Sequence, residues 1–339
     1  MPPEWHPHES TWLVWPKNEI TWPGDRMRQV QESYLEMIRV LTRAERVDLL
    51  VDDPQTAAEV GQRIRISGGA AENCRLHVIR TVDSWIRDFG PNFLLRQTNA
   101  GAELAFNDWE FNAWGGKYKD LKEDTHIPEK LEPILKVPRF TPDLVLEGGG
   151  IDVNGEGVCM STEQCLLNSN RNPSRSRTEI ERCLTDCLGV QRIVWLGEGI
   201  LGGDTDGHID EVARFVDPRT VVCARAEDPE DPNHSALEDN YRRLQLARDA
   251  GGRRFEILTL PVPRLENETG EPLPATYANF YIANGCVLVP SFGGPEDEQA
   301  RSVLEKTFPD REMVLIDARA MVWGMGSIHC LTQQQPATT

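Results

Sequence analysis

Four stretches of the chain carry apolar residues at helical spacing: 25–44 (DRMRQVQESYLEMIRVLTRA), 176–189 (SRTEIERCLTDCLG), 234–251 (HSALEDNYRRLQLARDAG) and 295–308 (PEDEQARSVLEKTF). Each is followed by a short run of branched and aliphatic residues, VDLLV, RIVWL, FEILTL and EMVLI in turn. Bounded by polar or Gly/Pro positions, these runs predict strands. Ahead of the last three helices the pattern is that of two strands joined at Asn-Gly or Asp-Pro, over 151–161, 213–224 and 279–290. Residues 92–106 read as a further copy, and 107–146 and 262–275 as insertions. The repeating unit is therefore β-β-α-β. No such unit buries its apolar face alone, so the repeat predicts a closed radial α/β architecture, a single domain over 1–339.

The polar residues that break this pattern recur at one place in the unit. Just ahead of or inside the first strand of successive modules lie WIRDFGP (85–91), LEGGG (146–150), GDTDGHIDE (203–211) and GSIHCLTQ (326–333). Equivalent positions of a radial fold converge near its axis. The repeat thus predicts that Asp88, Glu147, His208, Asp210 and Cys330 meet in space despite their separation along the chain. Cys330 is odd as a core residue, with Gly324 and Gly326 before it and Thr332 and Gln333 after it. Cys183 and Cys187 sit among apolar neighbours on a predicted helix, where packing accounts for them.

Composition narrows what such a site can bind. A formal net charge of -18, from 36 Lys and Arg against 54 Asp and Glu, disfavours a polyanion and suits a small cation. No nucleic-acid or membrane partner is expected, and whether the chain forms a homo-oligomer is left open. No apolar run is long enough to cross a bilayer and the first residues lack a signal-peptide pattern, so the expected location is the cytoplasm. The eight cysteines show no paired C-x-x-C spacing, which predicts reduced thiols rather than a zinc ribbon or a disulfide framework. His208 and Asp210, two apart on a strand, would share a face and could ligate zinc, but only Cys330 offers itself as a third ligand. Neither a metal nor a cofactor is expected. The three glycines at 148–150 precede a strand rather than a helix, unlike a nucleotide-binding loop.

A thiol, an imidazole and three carboxylates suit a planar cation. Asp88 and Asp210 can clamp the two sides of a guanidinium, whose N–H groups form a fork that carboxylates accept. Trp85 can line its flat face. The guanidinium carbon is a poor electrophile, and Cys330 is the one strong nucleophile of the set. His208, supported by Glu147, can protonate departing ammonia and then activate water, leaving a ureido product.

Together with QCLLNSNRNP and NFYIANGCVLVPSFGGPEDEQA, these motifs resemble the agmatine deiminase family, which also includes bacterial peptidylarginine deiminases. The resemblance covers nearly the whole chain from EWHPHESTWLVWP onward. It implies a five-bladed pseudo-symmetric α/β propeller, with the nucleophile at Cys330, the acid/base at His208, the guanidinium carboxylates at Asp88 and Asp210, and the supporting glutamate at Glu147. The activity it implies is hydrolysis of agmatine to N-carbamoylputrescine and ammonia, in putrescine formation. Alternatives on the same scaffold are a free-arginine or peptidylarginine deiminase and an amidinotransferase. A non-catalytic binding propeller, as in the ribosomal anti-association factors, has no use for Cys330 and His208. Two departures fall near the far end of the substrate: 324–327 reads Gly-Met-Gly-Ser where many members carry Gly-Gly-Gly-Asn, and Asp206 stands where they carry Asn.

Overall fold

The computed structural model describes residues 1–338 and contains five small mixed sheets of one design. In each, two antiparallel strands are followed by a helix and a third strand parallel to the second. The clearest copies are Asp152–Val153, Val158–Thr162 and Arg192–Leu196; Ala213–Asp217, Thr220–Ala224 and Glu256–Leu260; and Tyr281–Ala283, Cys286–Ser291 and Glu312–Asp317. A parallel neighbour requires a crossover, supplied here by the helices Arg177–Leu188, His234–Leu246 and Glu296–Thr307. The first of these starts at a Ser176/Glu179 capping box and stops at Gly189 in the left-handed region, φ 70°. The middle strands Val158–Thr162 and Thr220–Ala224 are buried at every residue, as strands covered on both faces should be.

Two sheets depart from the sequence reading. The segment 107–146, read as an insertion, contains its module's own helix Ile127–Leu135 and the short third strand Arg139–Phe140, beside the hairpin Asn92–Thr98 and Gly101–Asn107. Prolines at 128 and 133 break the helical pattern, and only Ile127 and Leu131 among the aliphatic residues of this helix are buried. The fifth hairpin has no local signature because its two strands come from opposite ends of the chain. Gln333–Pro336 pairs antiparallel with His8–Val14, which pairs in parallel with Arg46–Val51 after the helix Asp25–Leu41. The same sheet continues with the unpredicted helix Pro54–Ile66 and strand Cys74–Val78. The helix predicted over 234–251 ends at Leu246. No helix among the described residues is long and apolar enough to cross a membrane.

Ahead of the first strand of each module the chain makes a short helical turn. Four of these turns are Ile86–Phe89, Gly148–Gly150, Ile209–Glu211 and Tyr277–Asn279; the fifth lies at 328–331. The first four touch in that order. The ring closes where His329 N donates to Asn279 O (3.2 Å) and Arg87 N donates to Cys330 O (3.3 Å). The five sheets are thus blades of one pseudo-symmetric α/β propeller with the turns around its axis.

Candidate active site

All five residues expected to converge do so. His208 Nδ1 lies 3.7 Å from Asp88 Oδ1 and 4.0 Å from Asp210 Oδ1, its Nε2 lies 3.9 Å from Glu147 Oε2, and Cys330 Sγ is 3.6 Å from Asp210 Oδ2. His208 and Asp210 lie at a 3-10 turn and not on a strand, so their common direction comes from the turn rather than from strand alternation. Gly149 explains why the second turn is made of glycines. Its N–H donates to Asp88 Oδ1 (3.0 Å), and a methyl there would sit 2.6 Å from His208 Nδ1. Gly326 is held small in the same way, since a Cβ would meet the Trp85 ring at 2.8 Å and Cys330 Sγ at 3.2 Å. Trp85, Asp88 and Cys330 line a cavity of about 650 Å³ that Trp114, Tyr118, Asp204 and Met325 share.

Several residues of the site were not anticipated. Asn279 occupies the equivalent position at the fourth turn; its Nδ2 donates to Cys330 Sγ (3.3 Å) and its Oδ1 accepts from His329 N (3.0 Å). The repeat itself could have pointed to it, because it stands directly ahead of a hairpin already recognised. Arg171, inside the motif QCLLNSNRNP, donates from Nε to Glu147 Oε1 (2.7 Å) and from Nη1 to Asp206 Oδ2 (2.7 Å), with its side chain fully buried. Trp114 Nε1 donates to Asp88 Oδ2 (2.9 Å) from a stretch, Ala113 to Gly116, whose φ angles are all positive. Nothing in its sequence context singles it out. Arg87 lies in a helical turn and points away from the cavity, bonded to His329 O and Gln334 and paired with Glu4.

The charges set the resting protonation. Burial raises the Cys330 thiol well above its ordinary range, and the carboxylates of Asp210, Asp88 and Glu211 raise it further. For His208 burial acts downward, but Asp88, Cys165 and Glu147 outweigh it and hold the imidazole protonated well above its usual range. Burial pushes Asp88 up to about 6, against the pull of His208 and with the push of Asp210 and Glu147. Glu147 stays below the ordinary glutamate value despite burial, because His208 and Arg171 face it. The resting pair is thus a thiol and an imidazolium.

Among the described residues one group has metal-ligand spacing: Glu147, Cys165 and His208, with donor atoms within 4.8 Å of one another. The Arg171 cation already bound to Glu147 opposes a divalent ion there. Exhaustive dialysis against EDTA is accordingly expected to leave kcat/KM within about twofold of the untreated value. Loss of activity restored stoichiometrically by zinc would reverse that assignment.

Known proteins resemble this chain throughout. It is 37% identical to agmatine deiminase of Pseudomonas aeruginosa, covering 99% of this chain and 95% of that one, and 37% identical to agmatine deiminase of Medicago truncatula, covering 99% and 96%. Agmatine deiminase of Enterococcus faecalis superposes with a TM-score of 0.89 at 32% identity, covering 100% of this chain and 96% of that one. A Cys-to-Ser variant of C. jejuni agmatine deiminase with substrate bound superposes at 0.86, again at 32% identity, covering 99% and 96%. Matched over residues 1–336, the chain belongs to the Porphyromonas-type peptidyl-arginine deiminase family.

Proposed function

We propose that the protein is an agmatine deiminase, converting agmatine and water to N-carbamoylputrescine and ammonium. The observation that carries this reading is the convergence of a buried thiol, an imidazolium and two carboxylates at the end of one acidic cavity. Asp88 and Asp210 take the guanidinium from either side and hold its carbon over Cys330. The cation offsets the negative charge that keeps the thiol protonated, so the thiol releases its proton to solvent when substrate is in place, and that proton ends on the departing ammonia as ammonium. Sulfur adds to the carbon, His208 gives its proton to the departing amino group, and ammonia leaves an S-linked amidino intermediate. Water, deprotonated by His208, then adds to the same carbon and the C–S bond breaks to return the thiol. All five modules contribute to the ring of turns, and we read 1–339 as one catalytic domain. Its product would serve putrescine formation in the cytoplasm.

Agmatine is favoured over arginine by the charges of the cavity. Glu19, Asp83, Asp120 and Asp204 line it beside Asp88. Of its cations, Arg80 and Lys119 are exposed and Lys17 is bonded to Asp52. An α-carboxylate entering this field meets repulsion and loses hydration, whereas a terminal ammonium is attracted. Steady-state rates on agmatine, arginine and a blocked arginyl peptide test the proposal, with kcat/KM for agmatine expected to be at least about tenfold higher. A peptide or arginine value equal to or above that of agmatine would move the assignment to an arginine or peptidylarginine deiminase.

The acid side of the rate profile follows from Asp88. With its carboxyl raised to about 6, the anion that receives the guanidinium is lost as pH falls through that value. For agmatine, kcat/KM is expected to fall about tenfold per pH unit below 6. A flat profile down to pH 5 would remove Asp88 from that role.

A further inference from the structure

Beneath the ring of turns lies a buried chain of charged groups of which the deimination steps use only Asp210. His329 Nδ1 is 2.6 Å from Asp210 Oδ2 and its Nε2 is 2.8 Å from Glu4 Oε2. Glu4 comes from the segment ahead of the first strand, yet it is only 4% exposed, as His329 is only 3% and Asp210 is 0%. Its other oxygen accepts from Ile282 N (2.8 Å) and pairs with Arg214 Nη2 (2.9 Å). Three hydrogen-bond donors and the Arg214 cation therefore converge on one carboxylate, counting Arg87 Nη2 at 3.3 Å with His329 on Oε2. An ionised carboxylate only accepts hydrogen bonds. With one at each ring nitrogen, the His329 ring is clamped between Glu4 and Asp210. Asp210 spends Oδ2 on that ring, while Oδ1 has no hydrogen-bond partner and faces His208.

We propose that Glu4 is a positioning residue of the active centre: acting through His329, it sets the charge and orientation of the Asp210 carboxylate that clamps the guanidinium. The proposal rests on the deiminase reading of Asp210. Without Glu4 the ring is held from one side only, and the hydrogen bond by which it opposes the burial of Asp210 loosens. Asp210 is otherwise faced by His208, Asp88, Glu211, Cys330 and Arg214, and Glu4 by Arg87, Arg214 and Asp152. Apart from Arg214, the cations on Glu4 do not substitute for His329 at Asp210. Asp210 lies below its ordinary value in the intact network, through His329 against burial, so breaking the relay moves it upward.

The test compares full-length wild type, Glu4→Gln, His329→Asn and the double variant on agmatine from pH 5 to 9, with thermal unfolding followed in parallel. Each single variant is expected to lower kcat/KM at pH 7 by about 30-fold and to carry the Asp210 carboxyl past Asp88, so that the acid limb set by Asp88 in the wild type moves upward by about half a pH unit or more. The double variant is expected to move it no further than either single one, because the two residues act in series. Damage to the scaffold lowers the active fraction and the unfolding temperature but leaves the limb in place. If Glu4→Gln does not fold, His329→Asn decides alone, since it leaves Glu4 paired with both arginines. An unmoved limb in whichever variant folds, or additive displacements in the double variant, would overturn the proposal. Wild type inactive on agmatine would instead sink the substrate reading, and this proposal with it.

Discussion

Cys330→Ser is expected to turn over agmatine at least about 10⁴-fold more slowly than the wild type while still binding it, because the groups that hold the substrate are separate from the group that attacks it. Asp88, Asp210 and Trp85 keep their positions in such a variant: Asp88 is fixed by Gly149 N and Trp114 Nε1, and Asp210 by His329. A hydroxyl in place of the thiol is a weaker nucleophile with a far higher pKa, and the substrate cation cannot ionise it. Calorimetric titration should therefore give a dissociation constant within about tenfold of the wild-type KM, while the rate is lost. The companion measurement acid-quenches the wild type during turnover, when the amidino adduct stands between the two proton transfers of His208. Acid-quenched protein should carry the adduct on Cys330. Near-normal activity of Cys330→Ala, or an adduct on Cys165 instead, would put the nucleophile elsewhere.

The second large effect is expected at a residue that touches no substrate. Arg171→Met keeps an unbranched apolar stem but removes a fully buried cation bound to Glu147 and Asp206, which also donates to Thr205 O. Breaking a buried pair leaves the remaining charge unsolvated, at a cost of about 3–5 kcal/mol. Urea unfolding at pH 7 should show a loss of this size. Glu147 is expected to take up a proton, so that it no longer supports the His208 imidazolium, and kcat/KM should drop about 100-fold in the fraction that stays folded. A loss below about 1 kcal/mol would mean that solvent reaches the pair.

Much of this site was legible because the propeller repeats. Asp88, Glu147, His208, Asp210 and Cys330 stand out as polar residues ahead of strands in a regular series, and the position within that series predicts their meeting. The same regularity marks the hairpins at 151–161, 213–224 and 279–290, with their turn residues and alternating strands. What escaped lacks either periodicity or local contrast. Asn279 holds the repeat's position but is an uncharged residue in the apolar stretch ATYANFYIA, so it lacks the contrast that marks the other four turns. Glu4 and His329 are 325 positions apart in sequence, and no local pattern links them. Trp114 reaches Asp88 through four consecutive residues with positive φ, a conformation that strands and helices do not use. The helix Pro54–Ile66 buries only Val60, Gly61 and Ile64, too narrow a stripe to stand out from its polar surroundings.

The pairing of Gln333–Pro336 with His8–Val14 places the order of synthesis in conflict with the order of assembly. A ribosome completes four modules before it reaches the strand that the first one lacks, and the nucleophile emerges just ahead of that strand. Until then Glu4, Trp12 and the face of His8–Val14 that meets the last strand stay open to other chains. Contacts of such sequence separation form late and slowly. A circular permutant opened in the exposed stretch Glu268–Glu271 would join the two strands by a short covalent linker and turn the slowest encounter into a local hairpin. It should refold faster than the natural chain order while retaining the same reactive thiol at its centre.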